Sequence, residues 1–188
     1  MVREAGSILA RFHQIKLASF GWVTAGSVER SHAQWKEFLE EDFTEKERRL
    51  TVLSPKQRKT IHQTFCNYLK HVPEGKPVLL HKDYHGSHIL CNKKKVTGII
   101  DIEWAIAGRP GLDFVKPNWW MFEDYPQLKK PFYEGYAAVS KIKVSAAEER
   151  FYELYTAVSL LSFSVQQGTW LSKNKNRLLK VISLHSKK

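Results

Sequence analysis

Most of the chain carries apolar residues three or four positions apart, which is the spacing of an amphipathic helix. This spacing predicts helices over residues 3–16, 27–49, 54–70, 145–171 and 177–185. Aromatic residues after position 113 and after position 126 predict two further helices between them. The pattern therefore indicates a mainly helical protein, whose strand-like part is confined to one central segment.

The central segment, residues 78–104, reads VLLHKDYHGSHILCNKKKVTGIIDIEW and contains three short apolar runs. The second and third runs, residues 89–91 and 96–100, flank a lysine-rich turn and predict a two-stranded ribbon. Asp83 lies in the loop after the first run, and Asp101 closes the third. Because a ribbon folds back on itself, both carboxylates can reach the same end of it. Such an arrangement is one way to build a metal or phosphate site.

A length of 188 residues predicts one domain with a sizeable core. We therefore expect a single α+β domain over residues 1–188, mainly helical, in which a small β ribbon carries a polar loop. After Glu153 the chain has no acidic residue, while basic residues accumulate. Residues from about 174 to 188 are predicted to form a basic C-terminal tail or a short helix.

The charge balance favours anionic partners. Thirty Lys and Arg residues against nineteen Asp and Glu residues give a formal net charge of +11, which suits nucleotides or nucleic acid. Nucleic acid has less support, because the basic tail carries no aromatic or Gly/Arg repeat. The amino terminus lacks a signal-peptide pattern, no apolar run could span a bilayer, and Cys66 and Cys91 form no disulfide framework. We therefore expect a cytoplasmic protein with no membrane partner.

His81, Asp83, His85 and His88 place four potential ligands within eight residues. Together with Asp101 they suit phosphoryl transfer, which needs a carboxylate for the attacking hydroxyl and ligands that hold magnesium against the phosphates. The same H-x-D-x-H-x-x-H spacing also suits a zinc hydrolase, in which the metal activates water. The hydrolase interpretation explains neither the ribbon that ends at Asp101 nor the motifs farther along the chain.

Five segments carry a set of motifs in a fixed order: RFH (11–13), HKDYHGSHIL (81–90), IIDIE (99–103), GRPGLD (108–113) and FYEGY (132–136). They resemble the L-x-x-L-H, H-G-D-x-H-x-x-N-I-L, I-D-W/F-E-like, G-D-P-x-x-D-L and F-x-x-G-Y patterns of the aminoglycoside phosphotransferase family. That family is similar to choline kinases and protein kinases. The resemblance covers nearly the whole chain, and it is specific to the superfamily rather than to a substrate.

This resemblance implies the C-terminal lobe of a kinase-like phosphotransferase. It implies that phosphate passes from ATP or GTP to a hydroxyl of a small molecule, such as an aminoglycoside, a macrolide or a metabolite, with Mg²⁺ as cofactor. Asp83 would be the catalytic base, and His88 and Asp101 would be the metal ligands. His88 stands where the family usually has Asn, and macrolide phosphotransferases also carry His there.

The remaining matched positions would support this chemistry. His81 would support the loop, and Asp113 would brace it by hydrogen bonds. His85 would serve in loop hydrogen bonding, and Glu103 could assist the metal or the substrate. Lys82, where the family usually has Gly, could contact a phosphate.

The sequence before residue 78 has no strand–Gly-rich loop–strand pattern and no phosphate-binding glycine motif. We therefore expect the family's C-terminal lobe alone, without its N-terminal nucleotide-binding lobe, and activity where that lobe is supplied. Self-association through the surface that the lobe would cover is then expected. The alternatives are a non-catalytic, degenerate kinase-like domain and the zinc hydrolase.

Overall fold

The computed structural model describes residues 1–25 and 27–185, and it confirms the mainly helical α+β fold. The helices are α1 (Val2–Phe12), α2 (Trp35–Arg48), α3 (Pro55–Leu69), α4 (Val115–Pro117), α5 (Lys129–Ala137), α6 (Ala146–Gln167) and α7 (Leu171–His185). The strands are β1 (Phe20–Thr24), β2 (Ser27–His32), β3 (Val78–Leu80), β4 (Ile89–Asn92), β5 (Lys95–Ile99) and β6 (Ile106–Gly108). Within these described ranges, no helix is both long and apolar enough to cross a membrane.

Two antiparallel sheets organise the strands. β4 pairs with β5, which confirms the predicted ribbon, and a larger sheet has the order β2-β1-β6-β3. The sequence does not predict the larger sheet, because its inner strand β6 has only three residues, all buried, and shows no alternation. Ile106 of β6 lies opposite Trp22 of β1 on one side and Leu80 of β3 on the other. The sheet thereby fixes the end of β3, where the polar loop begins.

The predicted helix over residues 27–49 is wrong in its first third. Ser27–His32 forms strand β2, and helix α2 begins at Trp35. Val28 pairs with Val23 of β1, and the segment before Trp35 offers no other large apolar residue to a helical stripe. Backbone pairing with β1 therefore decides the conformation of this polar segment.

The long helix predicted to reach residue 171 ends earlier. Gly168 adopts a φ of +69°, a left-handed conformation that glycine allows, and its N–H donates to the Ser164 carbonyl. Helix α7 then starts at Leu171, six residues before the predicted start of the last helix at residue 177. Residues 186–188 of the predicted basic tail lie outside the described residues.

The chain divides into two compact units. The first comprises Met1–Trp35 and Gly75–Val144, and the second comprises Lys36–Glu74 and Ser145–Lys188. The first unit has a buried cluster that includes Leu9, Tyr84, Phe114, Phe132 and Tyr136. All five motif segments of the sequence analysis lie in this first unit, so its packing positions the candidate site.

The second unit is built on aromatic contacts between its helices. Phe65 stacks on Phe43 with ring centroids 3.7 Å apart, and its ring lies 5.3 Å from that of Phe151. Lys46 and Tyr155 both donate hydrogen bonds to the buried Asp42 carboxylate. The three side chains satisfy one another's hydrogen-bonding capacity, as buried polar groups in proteins usually do.

Helices α1 and α5 approach so closely that glycine is required at the crossing. A Cβ built on Gly135 would lie 1.8 Å from the Arg3 carbonyl oxygen. We expect Gly135→Ala to lower the free energy of unfolding by about 1–3 kcal/mol, because the two backbones must separate. This loss should exceed the gain of about 1 kcal/mol that Ala brings to a helix. Unfolding in urea measures the difference.

Gly98→Ala is the matched control in the same unit. A Cβ there would meet Leu90 Cδ1 at 3.6 Å, which is an ordinary van der Waals contact. Equal losses in the two variants would show that the close crossing does not limit stability.

Candidate active site

The polar loop after β3 is anchored by the carboxylate of Asp113. Its Oδ2 accepts the His81 N–H at 2.8 Å, and its Oδ1 accepts the Lys82 N–H at 2.6 Å. Lys82 has a φ of +64°, which is uncommon for any residue other than glycine. The hydrogen bond from its N–H to Asp113 helps to hold a lysine in this left-handed conformation. The predicted bracing contact between Asp113 and the loop is therefore present in the structure.

His13 extends this anchor into the core. Its Nε2–H donates to Asp113 Oδ2 at 3.1 Å, and its Nδ1 lies 2.7 Å from the hydroxyl of Tyr136. The side chains of His13 and Asp113 are fully buried. Burial also raises the pKa of Tyr136 to about 12, so its hydroxyl stays protonated. His13 and Tyr136 both belong to the sequence motifs, but the sequence does not predict that His13 links Tyr136 to Asp113.

His81 joins the loop to the end of the ribbon. Its Nδ1 accepts the N–H of Asp83 at 3.2 Å, so its Nε2 carries the proton that is donated to the Ile100 carbonyl at 3.0 Å. Burial lowers the pKa of His81, which keeps the ring neutral. Both ring nitrogens are therefore occupied by the protein, and His81 is not placed to bind a metal.

The Asp83 carboxylate is part-buried and faces three side chains. The ammonium of Lys116 donates a hydrogen bond to Oδ1, and His85 Nε2 lies 3.5 Å from the same oxygen. Oδ2 lies 3.9 Å from His88 Nδ1 and accepts no hydrogen bond from the described residues. One carboxylate oxygen is thus engaged, and the other is available to a ligand.

Sequence reasoning did not find Lys116, because the lysine belongs to no motif. The one signal was its position three residues after Asp113, which places both side chains on the same side of a helical turn. The Asp113 carboxylate accepts a hydrogen bond from the loop backbone, and the Lys116 ammonium donates one to Asp83 of the same loop.

His88 and Asp101 form the second half of the site. His88 Nδ1–H donates to the Asp83 carbonyl at 2.8 Å, and its Nε2 lies 3.1 Å from Asp101 Oδ2. The Ile100 N–H donates to the His88 carbonyl at 3.1 Å, so the ribbon holds the two residues in register. Asp101 itself has a φ of +60°, a conformation that Asp tolerates better than most residues.

This pair fits a divalent cation. In the neutral ring, the bond from Nδ1–H leaves a lone pair on His88 Nε2 that points toward Asp101. Two adjacent ligands of one octahedral magnesium ion stand about 3 Å apart, because each lies about 2.1 Å from the metal. The separation of 3.1 Å matches this value, although magnesium prefers two oxygens to one nitrogen and one oxygen. The same distance also suits a hydrogen bond from a protonated ring.

The other predicted site residues lie around this centre. His85 Nδ1 accepts the Ser87 N–H at 3.4 Å, and burial lowers the pKa of His85 to about 4, so the ring is neutral at pH 7. The ammonium of Lys82 lies 3.6 Å from the ring centroid of Trp22, a cation–π contact. Glu103 is exposed on the short turn after Asp101.

The four ligands of the hydrolase interpretation do not all converge. Asp83, His85 and His88 offer ligand atoms within 4.8 Å of one another, whereas both nitrogens of His81 are bound elsewhere. The Lys116 ammonium already lies against Asp83 and would compete with a metal ion for that carboxylate. The arrangement therefore favours two separate parts, the Asp83 carboxylate and a cation site at His88 and Asp101, over one metal site. That single site would use His81, Asp83, His85 and His88 together.

Solved structures share this fold at low sequence identity. A thermostable mutant of aminoglycoside phosphotransferase APH(4)-Ia matches with a TM-score of 0.71 and 14% identity, over 100% of this chain and 68% of that chain. A candidate fructosamine-3-kinase from Thermobifida fusca matches with a TM-score of 0.65 and 17% identity, over 95% of this chain and 65% of that chain. Macrolide 2'-phosphotransferase MphH from Brachybacterium faecium matches with a TM-score of 0.54 and 14% identity, over 100% of this chain and 59% of that chain. The chain thus spans 59–68% of the length of these structures.

The family assignment comes from the sequence match. No curated protein matches the chain. Residues 1–154 of the 188 match the model of the phosphotransferase enzyme family, APH, and this range includes every residue of the loop, the ribbon and the Asp113 anchor. The chain therefore belongs to the phosphotransferase enzyme family.

Proposed function

We propose that this protein transfers the terminal phosphoryl group of ATP or GTP to a hydroxyl of a small molecule. The observation that carries the proposal is the placement of Asp83 beside the His88–Asp101 pair, on a loop fixed by the buried Asp113. Phosphoryl transfer requires mainly positioning and charge stabilisation, and this arrangement supplies a carboxylate and a cation site close together.

In this mechanism Asp83 Oδ2 accepts a hydrogen bond from the acceptor hydroxyl and orients its oxygen for attack. The oxygen forms a bond to the terminal phosphorus while the bond from phosphorus to the bridging oxygen breaks. The acceptor proton passes to Asp83, and the nucleoside diphosphate leaves. Mg²⁺, when held by His88 and Asp101, would neutralise the negative charge of the phosphates.

The relatives support a nucleotide donor and a small acceptor. One structure of the APH(4)-Ia mutant is a ternary complex with AMP-PNP and hygromycin B, at 15% identity and a TM-score of 0.70. Because this identity is low, the acceptor stays open among an aminoglycoside, a macrolide and a metabolite. The exposed, unpaired thiols of Cys66 and Cys91 fit a reducing cytoplasm.

We also propose that a nucleotide-binding lobe completes the site. Four large apolar residues flank His88 and Asp101 in sequence and are 38–46% exposed: Leu90, Ile100, Ile102 and Trp104. Exposed large apolar groups beside a polar site are suited to contact with another surface. Self-association through these residues remains a prediction for the chain without that lobe.

The test supplies the chain with a nucleotide-binding lobe of the family and measures transfer of label from γ-³²P-ATP or γ-³²P-GTP to a panel of aminoglycosides, macrolides and sugars, with and without Mg²⁺. We expect labelled acceptor only when Mg²⁺ is present. Nucleotide binding to the purified chain is measured separately, with and without Mg²⁺. If neither ATP nor GTP binds in either condition, the degenerate domain is favoured. Tightly bound zinc with hydrolysis independent of nucleotide would favour the hydrolase, the second candidate, which rests on the cluster of Asp83, His85 and His88.

His88→Asn gives a sharper test of the metal pair. We expect this variant to keep transfer and to lower the Mg²⁺ concentration needed for half-maximal activity. An Asn side chain offers magnesium an oxygen ligand, and its amide N–H can replace the donation from His88 to the Asp83 carbonyl. His88→Ala should raise the Mg²⁺ requirement at least about 10-fold, as loss of groups around a metal commonly does.

The initial rate of transfer, measured at increasing concentrations of free Mg²⁺, gives the Mg²⁺ requirement of both variants. His62→Asn is the control, because His62 pairs with Glu47 in the second unit and belongs to no part of the site. An unchanged Mg²⁺ requirement in His88→Ala would remove His88 from the metal site.

A further inference from the structure

Lys116 lies deeper in the site than its sequence context suggests. Its side chain is 15% exposed, and its ammonium donates to Asp83 Oδ1. The ammonium also lies 4.9 Å from the ring centroid of Trp120. Lys116 is in α4, directly after the 3₁₀ turn Pro110–Phe114 that carries Asp113, so the anchor of the loop also sets the position of this lysine.

Stability alone gives little reason for this contact. Removing an ammonium from water is costly, and burial lowers the pKa of Lys116 while the neighbouring Asp83 opposes that shift. A buried ion pair commonly adds little net stability compared with apolar side chains of similar size. The part-buried pair therefore needs a second explanation, and its position at the candidate base supplies one.

The contact makes the two oxygens of Asp83 unequal. Oδ1 carries the Lys116 hydrogen bond and has His85 Nε2 at 3.5 Å. Oδ2 receives no hydrogen bond from the described residues and lies on the side of His88. With one oxygen held, rotation of the carboxylate about its Cβ–Cγ bond is restricted, and Oδ2 keeps a fixed direction.

We propose that Lys116 is a positioning residue for phosphoryl transfer, which holds Asp83 by Oδ1 so that Oδ2 faces the acceptor hydroxyl. This inference rests on the proposed function, because it assigns Lys116 a part in the same reaction. Lys116 acts through Asp83: the acceptor proton moves to Oδ2, and the Lys116 proton stays on the ammonium throughout. A fixed base matters because small displacements of a reacting group can reduce the rate by about 10²-fold.

The test compares Lys116→Met, Lys116→Arg and the control Lys129→Met in steady-state transfer. Lys129 is exposed in the same unit, 5.9 Å from the ring of Tyr133. We expect Lys116→Met to lower kcat about 10²-fold with little change in acceptor KM, since binding is kept and orientation is lost. Lys116→Arg should recover most of kcat because it restores a cationic donor, and Lys129→Met should match the wild type.

Two kinetic outcomes would overturn the inference. If Lys116→Met raised KM and left kcat unchanged, Lys116 would serve acceptor binding and would not position the base. If Lys116→Arg were as slow as Lys116→Met, the site would need the shape of lysine rather than a donor to Asp83.

A double-mutant cycle separates this inference from the proposed function. The cycle measures urea unfolding of Asp83→Ala, Lys116→Met and the double variant, because each single substitution removes the contact, and it needs no transfer activity. Coupling between the two substitutions supports the contact, whereas additive effects overturn the inference even if transfer occurs. Coupling in a protein that shows no transfer overturns the proposed function and, with it, the positioning role.

Discussion

Asp83→Asn is expected to lower the kcat of phosphoryl transfer by about 10³-fold, because an amide cannot take the acceptor's proton. The substitution keeps the size of the side chain, and the amide oxygen can still accept the hydrogen bond of Lys116. The loop should therefore keep its conformation, and acceptor KM should change little. Steady-state rates with labelled nucleotide and saturating Mg²⁺ measure the effect.

Asp124→Asn is the control for this substitution. Asp124 is an exposed acid of the same unit and belongs to none of the motif segments. Asp124→Asn removes one negative charge from the unit, as Asp83→Asn does, so the two variants have the same net charge. If Asp83→Asn kept transfer within about 10-fold of the wild type, a role of Asp83 as general base would be excluded, since that role is typically worth 10²–10⁴-fold.

Asp113→Ala is expected to lower the free energy of unfolding by about 3–5 kcal/mol, because each buried donor that is left without an acceptor costs about 1–3 kcal/mol. Three donors lose their acceptor at once: the N–H groups of His81 and Lys82 and the buried imidazole of His13. Each donor is then left without its protein acceptor, and the loop loses its anchor. Transfer should fall with stability, because Asp83, the proposed base, is no longer held in place.

Urea unfolding followed by tryptophan fluorescence suits this prediction. Five of the six tryptophans lie in the first unit, at positions 22, 35, 104, 119 and 120, so the signal mainly reports the unit that holds Asp113. Asp113→Asn should be less damaging than Asp113→Ala, since its oxygen still accepts from the loop. Asp124→Ala provides the surface control. A loss below about 1 kcal/mol in Asp113→Ala would show that the anchor is not needed for the fold.

The candidate site was largely predictable because its parts are local in sequence. His81, Asp83, His85 and His88 lie within eight residues, and one antiparallel turn brings Asp101 back to His88. Two short apolar runs on either side of a lysine-rich turn, together with the motif order, were enough to predict this arrangement. The motif order also predicted the family, which the match over residues 1–154 confirms.

Other parts were not predictable, because they depend on contacts between distant segments. Ser27–His32 has helix-compatible residues, but pairing with β1 makes it a strand, and three buried residues of β6 connect that hairpin to β3. No local pattern records such pairing. The energy that decides it comes from backbone hydrogen bonds and burial that exist only after the chain has folded.

The sequence by itself determined the family, the mainly helical α+β class and the residues of the loop and ribbon. Each of these follows from periodicity or from motifs whose members are close along the chain. The tertiary structure alone decided that His13 links Tyr136 to Asp113, and that Lys116 engages one oxygen of Asp83. These contacts join residues 33 to 123 positions apart, and hydrogen bonds of that range leave no trace in local sequence pattern.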